Sequence, residues 1–129
     1  MTSQEIKIKV ARYFLMSLEL IDKHSRVRNI VIPRQITHYL CKEYNTGNLT
    51  NIGWNVGKKD HATVLNSSNS VKDMIETKYV FMGEPMGDII DNISQVINLE
   101  LKLQKKNRTF RQLYDMKRNR YVSEKFLTA

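Results

Sequence analysis

A tight basic turn between two helical patterns is the feature that most constrains the fold of this chain. Asn48 can cap a short helix that ends at Gly57, and Asp60 can cap a longer helix directly afterwards. The apolar residues at helical spacing are Leu49, Ile52 and Val56 in the first helix, and Val64, Leu65, Val71, Met74 and Ile75 in the second. Two helices joined by so short a turn predict a helix-turn-helix.

The segments before this turn also carry helical spacing. Residues 5–15 and 17–24 indicate two short helices, the second capped by Ser17, and residues 24–29 form a polar, basic loop. A third helix is expected to begin at Pro33, because a proline is tolerated in the first helical turn. We find no convincing strand alternation, so the sequence predicts an all-α fold, a small helical bundle containing the helix-turn-helix.

The charge of the chain is unevenly distributed. Its 129 residues include 21 Lys+Arg and 13 Asp+Glu, a formal net charge of +8. The net charge is +5 over residues 1–82, −4 over residues 83–101 and +7 over residues 102–129. A basic excess indicates an anionic partner, most often nucleic acid.

Glycine and proline in the stretch 82–87 predict a boundary between a main domain, residues 1–82, and a C-terminal helical extension, residues 83–129. Apolar residues at helical spacing predict a helix from Met86 to Leu101. This helix either packs on the main domain or mediates a homodimer through residues 86–103. Residues 105–129 are either a solvated basic segment or a second contact with DNA.

Several functional classes find little support in the sequence. The single cysteine, Cys41, excludes an internal disulfide, fits a buried position and predicts a reducing, cytoplasmic location. No apolar run is long enough to span a membrane. His24, His38 and His61 are scattered without metal-ligand spacing, and no acid–base pair or nucleophile is assembled. We therefore predict no metal, no cofactor and no enzymatic activity.

Two features of the helix-turn-helix have simple structural interpretations. Trp54 is expected to pack inside the domain, with a groove-edge or partner contact as the alternative. Ser67, Ser68 and Ser70 are expected on the solvent side of the longer helix.

The residues of the turn resemble a known family. The stretch Ile52-Gly-Trp-Asn-Val-Gly-Lys-Lys-Asp-His-Ala-Thr-Val-Leu65 closely resembles the signature of the C-terminal DNA-binding domain, domain IV, of the bacterial replication initiator DnaA. Upstream, residues 28–40 resemble the family's basic loop and its Pro-Arg-Gln helix start. The resemblance covers roughly residues 6–78 and implies a fold similar to that of the Trp repressor.

The resemblance also implies which residues contact DNA. Arg26 matches the arginine that enters the minor groove, and Asp60, His61 and Thr63 match residues that contact bases in the major groove. The positions at the phosphate backbone are Arg34, Gln35, Lys42, Leu49, Thr50, Lys58, Lys59 and Ala62. Ala62 lacks the hydroxyl group usual at its position, and Lys58 stands where many members have glycine.

The implied function is sequence-specific binding of double-stranded DNA at a site like the DnaA box, regulating replication initiation or transcription. No Gly-x-x-x-x-Gly-Lys-Ser/Thr motif occurs, so neither nucleotide binding nor ATP hydrolysis is expected, and we expect a stand-alone DNA reader. The alternative is a protein-interaction module that binds a replication protein through its C-terminal helix.

Overall fold

The computed structural model describes the backbone of residues 1–116 and the side chains of residues 1–107. The elements are α1 (Ser3–Tyr13), α2 (Leu18–Asp22), α3 (Arg28–Glu43), α4 (Leu49–Asn55), α5 (His61–Glu76), β1 (Val80–Phe81), β2 (Glu84–Pro85) and α6 (Met86–Met116). The all-α prediction is confirmed.

The predicted caps of α2, α4 and α5 are present. Ser17 accepts a hydrogen bond from the backbone N–H of Leu20 at 3.3 Å. Asn48 and Asp60 each accept one from the residue three positions later, both at 2.8 Å. Each cap satisfies a backbone donor that has no partner within the helix.

Helix α3 corrects the prediction that a helix begins at Pro33. It begins at Arg28, and Pro33 lies inside it. The first turn forms because Ile30 and Val31 both donate backbone hydrogen bonds to the carbonyl of Val27, at 2.9 and 2.8 Å. A proline so near the helix start removes one hydrogen bond, and burial of Ile32 on the same turn favours the helix.

A short β-hairpin also lies outside the predicted pattern. Strands β1 and β2 are antiparallel, with Val80 opposite Pro85 and Phe81 opposite Glu84. Met82 and Gly83 form the turn, with φ angles of 51° and 81°. Two successive positive φ angles are typical of a two-residue hairpin turn. Strands of two residues are too short to show alternation.

The first turns of α6 complete the core. The buried residues on this segment are Met86, Ile89, Ile90, Ile93 and Ile97. Asn92 donates a hydrogen bond to the Tyr13 hydroxyl at 3.1 Å, and the Tyr44 hydroxyl donates to the carbonyl of Ser94 at 3.5 Å. The start of α6 therefore packs on α1 and α3, the first of the two predicted alternatives for this segment.

The chain divides into two compact units, residues 1–97 and residues 98–129. The predicted boundary after residue 82 lies at the hairpin, within the first unit. In the second unit, α6 continues to Met116 and carries the exposed residues Leu99 and Leu103. The predicted basic segment 105–129 lies outside the described residues from position 117 onward. Within the described part of the chain, no helix is long and apolar enough to cross a membrane.

Candidate nucleic-acid interface

Polar side chains gather at the start of α5. Asp60 is fully exposed and accepts a hydrogen bond from the backbone N–H of Thr63 at 2.8 Å. Its hydrogen bonds with Thr63 hold the pKa of the Asp60 carboxyl below its usual value. His61 and Ala62 are exposed and Thr63 is half-buried, so all four residues lie on one open helix start. Backbone N–H groups at such an end favour anions.

The turn before α5 is fixed by two glycines. A Cβ atom on Gly53 would lie 2.2 Å from the carbonyl oxygen of Lys59, so only glycine fits there. The Lys59 N–H donates to the carbonyl of Gly53 at 2.8 Å. Gly57 has a φ of 84°, which favours glycine. These constraints set the positions of Lys58 and Lys59 relative to the start of α5.

Side chains join this turn to the basic loop. Lys59 Nζ donates a hydrogen bond to His24 Nδ1 at 2.9 Å. Asp22 accepts from the backbone N–H of Gly57 at 3.0 Å and from Lys7 Nζ at 2.8 Å. The loop at residues 23–27 and the turn at residues 57–59 are therefore coupled.

Arg34 is buried behind the basic loop. Its side chain is 6% exposed, and its guanidinium donates hydrogen bonds to the carbonyls of Lys23 at 2.7 Å and Ser25 at 3.4 Å. Burial lowers the pKa of Arg34. The structure thus gives Arg34 the role of holding the basic loop.

Arg26 is exposed on this loop, apart from the start of α5. It lines a cavity of about 370 Å³ together with Gln35 of α3 and with Ser70 and Asp73 of α5. The neighbouring Arg28 donates a hydrogen bond from Nε to the Tyr79 hydroxyl at 2.7 Å. The loop therefore presents an arginine beside the middle of α5, at a distance from its first turn.

The other predicted phosphate contacts lie at the ends of two helices. Lys42 is half-buried in the last turn of α3. Leu49 is half-buried and Thr50 is exposed in the first turn of α4. The structure thus brings the turn and the α5 start together and places these three residues at the α3–α4 connection.

A buried histidine that the sequence analysis left without a role connects the elements of the site. His38 Nε2 lies 2.8 Å from the carbonyl oxygen of Val56, and Nδ1 lies 3.0 Å from Ser67 Oγ. Since a carbonyl only accepts, Nε2 carries the proton and Nδ1 accepts from the Ser67 hydroxyl. Burial lowers the pKa of His38 from 6.5 to about 4, so the ring is neutral at pH 7. In the sequence, this role is indicated by a single histidine among the apolar residues of α3.

Two predictions about burial are wrong. Ser67 and Ser68 are buried, because α5 turns that face towards α3. Trp54 is 66% exposed, and the ammonium of Lys58 lies 5.6 Å from its ring centroid. The prediction that Trp54 packs inside the domain is therefore wrong.

Cys41 is buried as predicted, and burial raises the pKa of its thiol to about 11. Among the described residues, no group of three His, Cys, Asp or Glu side chains is placed to hold a metal ion.

Helix α5 has an exposed start, follows a tight basic turn and is flanked by a basic loop. This arrangement is typical of a helix-turn-helix DNA-binding domain, in which α5 is the recognition helix. The family model described as the bacterial dnaA protein helix-turn-helix matches residues 3–71 of this chain. The chain belongs to this family, which confirms the resemblance and its DNA-binding class.

Curated relatives agree with the family model. The chain is 36% identical over 83 residues to the chromosomal replication initiator protein DnaA of Wolbachia pipientis wMel, covering 64% of this chain and 18% of that protein. It is 32% identical over 90 residues to the same protein of Flavobacterium psychrophilum, covering 70% of this chain and 18% of that protein. The chain thus spans less than a fifth of the length of these relatives.

Proposed function

We propose that this protein binds double-stranded DNA sequence-specifically at a site like the DnaA box. Through that binding it regulates replication initiation or transcription without hydrolysing ATP. The DNA-binding domain proposed here comprises residues 1–82, within which the family match lies.

The observation that carries the proposal is the exposed first turn of α5. Asp60, His61 and Thr63 offer an acceptor, an imidazole and a hydroxyl group from one helix start. Short polar side chains at the start of a recognition helix are able to read base edges in the major groove. Lys58 and Lys59 precede them and supply the charge for neighbouring phosphates.

The basic loop extends the proposed contact into a second groove. Arg26 is exposed beside the middle of α5, where an arginine would reach the minor groove next to the major groove that α5 enters. A narrow A·T-rich minor groove attracts an arginine by its negative potential. Arg34 supports this contact from inside, because it holds the loop by the carbonyls of Lys23 and Ser25.

Phosphate contacts complete the proposed interface. We assign them to Arg34, Gln35, Lys42, Leu49, Thr50, Lys58, Lys59 and Ala62. These contacts would raise affinity for any duplex, since phosphates carry no direct sequence information.

The test compares a duplex carrying a DnaA box with a scrambled duplex of equal composition. His61→Ala and Thr63→Ala should each weaken box binding by about 1–3 kcal/mol while changing scrambled-duplex binding little. Ala62→Ser is the matched variant, because it adds a hydroxyl group to the same turn. Equal affinity of the wild-type protein for both duplexes would refute the proposed specificity.

Self-association through residues 86–103 is a second proposal. Met86, Ile89 and Ile93 are buried within the first unit. The contact between two copies would therefore be made by the exposed Leu99 and Leu103 of α6. These two residues lie one helical turn apart and face the same way. Sedimentation should show a dimer that Leu99→Glu dissociates; a wild-type monomer at high concentration would contradict it.

A further inference from the structure

Trp54 and Lys58 form an exposed pair beside the recognition helix. Trp54 lies in the last turns of α4 and Lys58 in the turn before α5, with the ammonium 5.6 Å from the ring centroid. An ammonium at this distance from an indole face is attracted by the electrons of the ring. Two-thirds of the Trp54 surface is exposed, 66%, so the ring contributes little to the core.

The backbone of Lys58 is in a conformation that a lysine adopts at a cost. Its φ is 50°, in the left-handed region, directly after Gly57 with a φ of 84°. A glycine would adopt this conformation without strain. A strained backbone next to a candidate binding surface points to a role for the side chain.

The local charges favour an anion at this turn. Lys58 and Lys59 both lie next to the start of α5, whose helix dipole disfavours positive charge. Within residues 1–107, no carboxylate oxygen lies within 4.0 Å of the Lys58 ammonium, although Glu19 and Asp22 line the same depression as Trp54. Asp22 is engaged by Lys7 and by the backbone of Gly57. The Lys58 ammonium therefore contacts an aromatic ring and has no carboxylate partner within residues 1–107, so its charge is available to a phosphate.

We propose that Trp54 is a positioning residue that holds the Lys58 ammonium beside the start of α5 for a phosphate of double-stranded DNA. This inference rests on the proposed function and adds to it a role for Trp54. A flexible lysine loses side-chain freedom when it binds a phosphate, and a ring that restrains it beforehand reduces that loss. The contact is with the DNA backbone, so it acts equally on every sequence.

Glycine substitutions separate folding from binding. Lys58→Gly removes the ammonium and the backbone strain together, so it should raise the unfolding temperature and weaken DNA binding several-fold. The slope of log affinity against log salt concentration should become shallower by about 0.9, the loss of one phosphate contact. Lys78→Gly is the matched control, because Lys78 is also an exposed lysine with a φ of 56°, at the opposite end of α5. It should raise the unfolding temperature and leave DNA binding unchanged.

Trp54 variants test the positioning role. Trp54→Leu should weaken binding to the box and scrambled duplexes by one common factor, no larger than that of Lys58→Gly, and should flatten the salt dependence. Trp54→Phe should restore most of the affinity, since it keeps an aromatic face. Combined with Lys58→Gly, Trp54→Leu should add no further loss. Trp54 is the single tryptophan of the chain, so its fluorescence should also change when DNA binds.

Two results would overturn the inference. One is a Trp54→Leu variant with wild-type affinity and salt dependence, the result expected if this surface binds another protein. The other is a double variant, Trp54→Leu with Lys58→Gly, whose loss of binding free energy equals the sum of the two single losses. Failure of the proposed sequence specificity would be seen separately, as a wild-type protein that does not distinguish the two duplexes while its salt dependence still responds to Lys58→Gly.

Discussion

His38 shows how a single residue organises the helix-turn-helix. Its ring is fully buried and bridges the carbonyl of Val56, at the end of α4, and the hydroxyl of Ser67 on α5. A neutral imidazole has one donor and one acceptor, and both are used here. The histidine therefore fixes the distance between the two helices of the motif from its place on α3.

Two adjacent serines provide a matched test of this bridge. Ser67→Ala removes the donor to His38 and leaves a buried ring nitrogen without a partner, so it should lower the free energy of unfolding by about 1–3 kcal/mol. Ser68 is buried too, but its hydroxyl has no hydrogen-bond partner among the described residues. Ser68→Ala should be neutral or stabilise by about 0.5 kcal/mol, since alanine favours helix. Urea unfolding of both variants measures this, and equal losses would contradict the bridge.

The depressed pKa of His38 makes stability depend on pH. The unfolded chain takes up a proton near pH 6.5, whereas the folded protein does so only near pH 4. The stabilisation that His38 contributes is therefore fully present above pH 6.5 and is lost as the pH falls towards 4. Between pH 7.5 and pH 5 the free energy of unfolding should fall by about 2 kcal/mol. His38→Gln should flatten that part of the pH profile in urea unfolding. Parallel profiles for the two proteins would show that His38 is not responsible.

At the residue scale, the sequence predicted the position of the turn and the helix start better than the burial of side chains. Asp60, His61 and Thr63 were identified from a local motif, and they lie together as expected. The burial of Ser67 and Ser68 and the exposure of Trp54 were missed. Which face of a helix is covered depends on the helices packed against it, and a polar residue on the buried face gives no periodic signal.

At the scale of elements, the sequence located three helix starts from side chains that cap the backbone. Ser17, Asn48 and Asp60 each cap the helix predicted for them. Helix α3 begins at Arg28, and Val27 before it makes no side-chain cap. The sequence therefore did not mark this start, and Pro33 gave a misleading signal. The hairpin at residues 80–85 depends on backbone angles at Met82 and Gly83 that the sequence only marks as a turn.

The turn between α4 and α5 depends on one close approach. Gly53→Ala would place a Cβ atom 2.2 Å from the carbonyl oxygen of Lys59, so it should destabilise the protein by about 2–3 kcal/mol. Gly87→Ala is the control, since its Cβ would meet only Ile75, at 3.9 Å, and it should stabilise by up to about 1 kcal/mol. Thermal unfolding of the two variants compares them. A Gly53→Ala protein as stable as wild type would mean that the turn adjusts.

At the scale of the whole molecule, the charge pattern and the fold agree. In the first unit, Arg26 on the loop, Lys58 and Lys59 in the turn and Lys42 near the end of α3 bring positive charge to the candidate interface. The acidic stretch 83–101 begins at the hairpin and continues into the part of α6 that packs on α1 and α3. The sequence placed a helix there; burial of Ile89 and Ile93 shows that this helix belongs to the core of the first unit.

The central claim is that this chain reads a DNA sequence, and selection of bound duplexes from a random pool tests it most directly. We expect enrichment of one site like the DnaA box, read by Arg26 in the minor groove and by the start of α5 in the major groove. His61→Ala should lose that enrichment. A bound pool as random as the starting one, from a folded wild-type protein, would contradict the account.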